Sequence, residues 1–323
     1  MLYERIIKHG TINEPEGKPE PQFALPATVN WMRALRMLAE DEGIAFSTAS
    51  IFYKKEGKRK MGALVENTVF EQLFLGLHHL SALDQFRGKT AAADYARVGV
   101  LAWYYGIANA ASAMTAAQSG SFKEDHAGTA RLWDEQIASR GLAMAPFSWR
   151  VSSLVENIYK AEVDALRNGS AGKLLKRPVT KEDALGAAAE YLSGSANWYA
   201  WKTKENLKRE REFKDLGVKD FRSKYAKALR DKRLGQKPVG FVHQATRYRG
   251  KANYREALFL AYGSSTETTL SGYVDDMHAV LKAFLAMAGA FARRKLGESL
   301  WSEFIKDVDA KRAFTTQALD IWT

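Results

Sequence analysis

The sequence predicts an all-α protein of many helices, arranged as one large or two helical domains behind an extended, proline-rich N-terminal arm. Three observations predict it. Four of the seven prolines (Pro15, Pro19, Pro21 and Pro26) fall in the first 26 residues, so only Pro146, Pro178 and Pro238 interrupt the remainder. Apolar residues recur at helical spacing through most of that remainder. Strand-like alternation is confined to one short stretch at 239–242.

Residues 1–27 read as the arm. Thr28 or Asn30 then caps a helix carrying Trp31, Leu35, Leu38 and Ala39, which Gly43 ends. Residues 48–53 run into Lys54-Lys55-Glu56-Gly57-Lys58-Arg59-Lys60. They read either as a short strand and basic turn or as a helix end with cations at its C-terminus. Leu64, Val69, Phe70, Leu73, Phe74, Leu77 and Leu80 form one apolar helical face. An alanine-rich helix follows over 92–117, with Gly120 as its stop. Residues 132–138 and 151–166 predict two further helices about a turn at 141–146. Small residues from Asn168 to Gly172 mark the best domain boundary, dividing 28–167 from 181–323 through a linker at 168–180. Thr180 as N-cap, with Asp183 three residues on, opens a helix expected to run past Trp198 and Trp201. Residues 254–262, 270–296 and 300–314 complete the helices.

Hydrophobic residues make up 46% of the 323 and charged residues 26%, a globular balance. The absence of cysteine excludes disulfides, thiolate metal sites and cysteine nucleophiles, and it fits a reducing compartment. The first residues are charged and lack a signal-peptide core. No apolar run reaches the roughly 18–20 residues that cross a bilayer; the nearest, 280–292, is broken by Lys282. A cytoplasmic protein with no membrane partner and no cofactor is expected.

The formal net charge of +11 is local. Residues 202–255 hold 18 Lys and Arg against 6 Asp and Glu, or +12, which leaves −1 for everything else. Such concentration points to an acidic partner. Within it Lys204, Lys208, Arg209, Arg211, Arg222, Lys224, Arg230 and Arg233 are interleaved with Trp198, Tyr199, Trp201, Phe213, Phe221 and Tyr225. Cations neutralise phosphates and aromatic faces stack on unpaired bases, so the segment predicts contact with RNA or single-stranded DNA. The competing reading is a solvated helix, laced by the i, i+4 pairs Glu205–Arg209 and Glu210–Lys214, with the rings in the core. A second cluster, Arg247, Arg249, Lys251, Asn253 and Arg255, suits a phosphate grip, with Asn253 reading a base or capping a helix.

Catalytic signatures are sparse. Gly88-Lys89-Thr90 lacks the glycine that a phosphate-binding loop needs at position 83, where Leu stands. His243, six residues before Arg249, is a candidate acid–base group for metal-independent ribonuclease chemistry. Asp275, Asp276 and His278 form a second candidate, with Glu267 or Asp307, for a metal or acid–base site. No metal ligand set is predicted. Glu124-Asp125-His126 reads as a loop and helix N-terminus.

Arg97-Val-Gly-Val-Leu-Ala-Trp103-Tyr104-Tyr105-Gly-Ile-Ala-Asn-Ala-Ala111, followed by a polar loop with Lys123 and His126, resembles the helical HEPN superfamily over roughly residues 60–165. The resemblance implies a helical domain of the kind found in ribonuclease toxins and antiviral effectors. Its ribonuclease members use Arg followed by His with four to six intervening residues, a pairing this chain lacks; Arg5 and His9, with three between them, come nearest. The expectation is therefore a nucleic-acid-binding subunit or effector of a prokaryotic defence system. A ribonuclease and a scaffold for an acidic protein partner, or a homo-oligomer, are the alternatives.

Overall fold

A computed structural model describes residues 1–12, 21–89, 91–255, 257–263 and 266–323. The chain is all-α, and the described residues contain no strand. Helix α1 (Leu2–His9) and α2 (Pro21–Asp41) are followed by α3 (Phe46–Phe52), α4 (Ala63–Asp84), α5 (Ala92–Ser119) and α6 (His126–Gln136). After α7 (Glu156–Arg167) come α8 (Lys181–Arg209), α9 (Arg211–Lys214), α10 (Lys224–Gly235) and α11 (Phe241–Gly250). Helices α12 (Thr266–Leu270), α13 (Tyr273–Leu296), α14 (Glu298–Lys311) and α15 (Leu319–Trp322) end the chain.

Long α5 lies between α4 and α13 in the main core. Small residues make this possible. A Cβ on Gly106 would sit 2.6 Å from the Leu281 side chain, and one on Gly76 would sit 2.8 Å from that of Leu285, so leucines of α13 pack directly over these two glycines. The same core takes rings from α2, α8 and α11, and its buried members run from Ala24 to Trp322. A second apolar cluster joins α7, α8 and α10 through Tyr159, Val163, Leu192 and Leu234.

Several local expectations are met. Thr180 accepts from the Asp183 amide at 3.1 Å while the Asp183 carboxylate accepts from the Thr180 amide at 3.3 Å, so the capping box opens α8. Gly120 adopts the left-handed conformation (φ 79°) that ends α5, and residues 48–53 prove to be a helix end.

Others are corrected. The arm is not extended where it is described: residues 2–9 and 21–27 are helical, while Pro15 and Pro19 lie outside the described residues. Thr28 and Asn30 do not cap α2, which already begins at Pro21. The Thr28 hydroxyl donates back to Ala24 O (3.0 Å), and Asn30 Nδ2 reaches Leu174 O (2.9 Å). Pro26, expected in the extended arm, lies inside α2. The helix expected over 151–166 starts only at Glu156. Val151 is instead drawn into a two-way backbone bridge with Val239, both bonds 3.0 Å, which is all that the strand expected at 239–242 amounts to. The helix expected over 254–262 is replaced by a π-helical turn at Lys251–Arg255 and a 3₁₀ turn at Ala257–Leu260, with Glu256 outside the described residues.

Residues 168–180 contain no helix, yet they are clasped to α8. Ser170 Oγ donates to Glu182 O, and the Leu174 amide donates to Glu190 (2.9 Å). Gly172 and Gly186 touch backbone to backbone: a Cβ on Gly186 would lie 2.3 Å from Gly172 O. Unlike a contact with a side-chain tip, this one cannot be relieved by a rotamer change. Gly186→Ala is expected to lower the unfolding free energy by about 2–3 kcal/mol, measured by denaturant unfolding; an unchanged midpoint would contradict the clasp.

Candidate nucleic-acid interface

The C-terminal end of α8, α9 and α10 fold over a small core of their own, made by Leu207, Phe213, Ala226 and Leu229 with Val218 and Phe221 against them. Ser223 caps α10, accepting from the Ala226 amide at 3.2 Å. Two of the aromatic residues in the basic segment are thereby spent on packing: Phe213 is buried and its ring lies 4.8 Å from Phe221. Two others face solvent, Trp201 at 53% and Tyr225 at 76% exposure.

All six carboxylates of segment 202–255 are paired locally. Lys208 binds Glu205 (2.7 Å), Arg211 binds Asp215 (3.5 Å), Arg222 binds Asp220 (3.3 Å) and Arg230 binds Asp231 (2.7 Å). Arg233 binds both Glu210 (2.6 Å) and Glu212 (3.1 Å). These exposed pairs are worth little to stability, but they exhaust the acids. Arg209, Lys214, Lys219, Lys224, Lys227, Lys232 and Lys237 remain exposed and make no ion pair among the described residues. Lys204 is partly buried and lies in the field of Glu156. Neither i, i+4 pair expected along α8 and α9 forms, because Glu205 turns to Lys208 and Glu210 to Arg233.

The cluster at 247–255 has a different character. Arg247 and Arg249 are partly buried against rings, with no carboxylate partner among the described residues. The Arg247 guanidinium lies 5.4 Å from the Tyr191 ring centre and donates to Ser195 Oγ (3.3 Å). Arg249 lies 5.1 Å from the centre of Tyr104, and its Nη1 is 3.2 Å from His126 Nε2. The Nε of each is buried without a hydrogen-bond acceptor. Asn253 does not cap a helix; its side-chain oxygen and backbone carbonyl accept from Arg97 at 3.1 and 3.2 Å. Lys251 is engaged within the molecule, and the Arg255 side chain lies outside the described residues.

Arg249 and His126 lie 123 residues apart in sequence, so no spacing rule finds the pair. Rings surround it. His126 lies 5.2 Å from Tyr104 and 5.8 Å from Tyr105, and Tyr105 stacks on His79 at 5.9 Å. Burial, then the Arg249 charge, holds the His126 pKa below its ordinary value, while burial lowers His79 to about 4. His126 is thus neutral at physiological pH and free to accept from Arg249.

The three catalytic candidates do not form one site. His243 accepts from the Gly240 amide (3.3 Å) at the start of α11 and packs edge-on to Tyr199, which donates to the His243 carbonyl at 3.0 Å. Asp276 is fully buried and holds α13 to α2 through Arg33 (3.4 Å) and Arg36 (3.1 Å); burial raises its pKa and the two arginines oppose the rise. His278 lies 3.6 Å from Asp84, and Asp275 binds Arg87 at 3.0 Å. Glu267 accepts from the Ala92 and Ala93 amides at the start of α5, and Asp307 pairs with Lys311. No group of three or more metal-ligating side chains occurs among the described residues. Thr90, the last residue of the expected phosphate-loop remnant, lies outside them.

His79, His243 and His278 all have pKa values lowered from 6.5 to about 4 by burial. Between these values the unfolded chain binds protons that the folded chain does not, so stability falls as pH drops from about 6.5 towards 4. Denaturation midpoints recorded from pH 7 to 5 are expected to decline, and His243→Gln should flatten the slope. A midpoint independent of pH over that range would refute the burial of these imidazoles in neutral form.

No helix is long and apolar enough to cross a membrane among the described residues. No protein-family model, curated protein or solved structure matches the chain.

Proposed function

We propose that the chain binds single-stranded nucleic acid, RNA or DNA, through the lobe formed by the end of α8, α9 and α10. One observation carries this reading: every acid in the lobe is spent on a local pair, which leaves eight exposed cations, Lys202 among them, without an ion pair among the described residues beside two exposed rings. Cations at that density release counterions from a phosphate chain, and Trp201 and Tyr225 offer the π-faces on which unpaired bases stack.

Affinity is expected to fall steeply with salt. Lys224→Ala, Lys227→Ala and Lys232→Ala together should reduce the slope of log affinity against log salt by about 2. Trp201→Ala or Tyr225→Ala should cost about 1–3 kcal/mol each at low salt. Fluorescence anisotropy with labelled single-stranded RNA and DNA measures both. Unaltered binding in the lysine variant would remove the lobe from the interface, and no affinity for any nucleic acid would overturn the reading and leave the lobe facing an acidic protein or plain water.

A second reading rests on the Arg249–His126 contact and is metal-independent RNA cleavage. With the Arg249 contact exchanged for substrate, Nε2 of His126 would take the proton of a ribose 2′-hydroxyl as the 2′-oxygen bonds to phosphorus, the P–O5′ bond breaks and water protonates the departing 5′-oxygen. Arg249, with no carboxylate partner among the described residues, is suited to the charge that develops on the phosphate. Cleavage of RNA in the presence of a chelator, lost by a factor of about 10²–10⁴ in His126→Ala, is the expected result. Absence of cleavage in the wild type, or persistence in the variant, would dismiss it.

A further inference from the structure

Two partly apolar surfaces are exposed in a single chain, and they are complementary in charge. The first is a groove of about 510 Å³ between α4 and α14. Leu300, Phe304 and Val308, at i, i+4 and i+8, line one side along roughly two turns of α14. Phe70 and Phe74 line the other, with Phe70 stacked on Phe304 at 4.5 Å. Of the charges at the rim, Asp307 is paired with Lys311 and Arg312 is held by Asp309 (3.5 Å). Glu71 and Glu303 are exposed and make no ion pair among the described residues. Glu303 accepts from Ser299 Oγ (3.2 Å), and neither carboxylate has a cation among the described residues, so in a chain of net charge +11 the apolar groove suits a cationic, amphipathic occupant.

The second surface is α1. None of its eight residues is buried, although a helix this short is marginal in water without a surface to dock on. Tyr3 rests on Phe259 (5.6 Å) and Tyr262 (5.9 Å), which anchors one side. Leu2, Arg5, Ile6 and His9, at i, i+3, i+4 and i+7, form a different edge of the helix. Leu2 is 48% exposed there, and Arg5 is exposed with no ion pair among the described residues. That edge is narrow, apolar and cationic, matching a groove that is apolar and acidic.

We propose that the α4–α14 groove receives the Leu2–Ile6 edge of α1 from a second copy of this chain. With each copy donating its helix to the other, the contact closes as a two-fold dimer. Tyr3 stays on its own body, so no helix need detach. The pairing is independent of the nucleic-acid lobe.

The test is the mass of the nuclease-treated full-length protein by sedimentation velocity, from low micromolar to submillimolar concentration. A dimer is expected. Arg5→Glu, or Glu71→Lys with Glu303→Lys, should each weaken dimerisation by about tenfold or more, and the three changes combined should restore it. All three positions are exposed, so circular dichroism of the variants should match the wild type. Deletion of residues 1–12 should give a monomer. A wild-type monomer at every concentration, a dissociation constant unchanged by either reversal, a dimer that survives the deletion, or failure of the combined variant to recover would each overturn the proposal.

Discussion

The ring of Trp31 is the contact on which the rest of the arrangement depends. It projects from α2 and stacks on Tyr191 of α8 at 4.1 Å. Tyr248 of α11 lies 4.7 Å away and Trp103 of α5 meets it edge-on at 5.9 Å. Four helices distant in sequence are thereby fixed by one indole. Rings of this size each bury some 150–250 Å², with about 0.5–1.5 kcal/mol more from pair geometry. Tyr248 adds a directional element, its hydroxyl donating to Thr28 O at 3.0 Å and meeting the Tyr273 hydroxyl. Once Trp31 holds Tyr191, the direction of α8 is set, and with it the position of the lobe that α8 carries at its far end.

The same cluster explains the different fates of the arginines. Residues beyond Trp201 on α8 extend past the main core, so their cations meet water or one another's acids. Arg247 and Arg249 lie on α11, within reach of Tyr191 and Tyr104, and there aromatic faces replace carboxylates as partners. A guanidinium tolerates this setting better than an ammonium, being planar and more weakly hydrated. The consequence is a division of labour in charge: a screened, salt-sensitive surface on the lobe, and two partly buried cations whose Nε atoms lack acceptors. Buried charge without an opposing charge is costly, which is why the Arg249–His126 contact stands apart from the ordinary ion pairs elsewhere.

Packing of α5 imposes a further constraint. Its glycines and alanines are small because α4 and α13 press against both sides, and the aromatic residues of the helix are set where neighbours recede. Trp103 and Tyr104 are buried, whereas Tyr105 remains partly open beside His126 and His79. A helix chosen for close packing thus also delivers the rings around Arg249.

Much of this was legible in the sequence, where information was local. Helical spacing, the Thr180–Asp183 capping box and the glycine stop at Gly120 each depend on residues a few positions apart, and chain periodicity encodes such relations directly. So does the charge of segment 202–255, which is a matter of composition. What the sequence misjudged was also local in form but decided at a distance: α7 starts late because Val151 is claimed by Val239, and Asn253 caps nothing because Arg97 reaches it first. Which cations stay free, which rings face water, and that Arg249 meets His126 across 123 residues were settled only by tertiary packing. A side chain's partner is fixed by whichever group the fold brings within about 3 Å, and linear spacing holds no record of that distance.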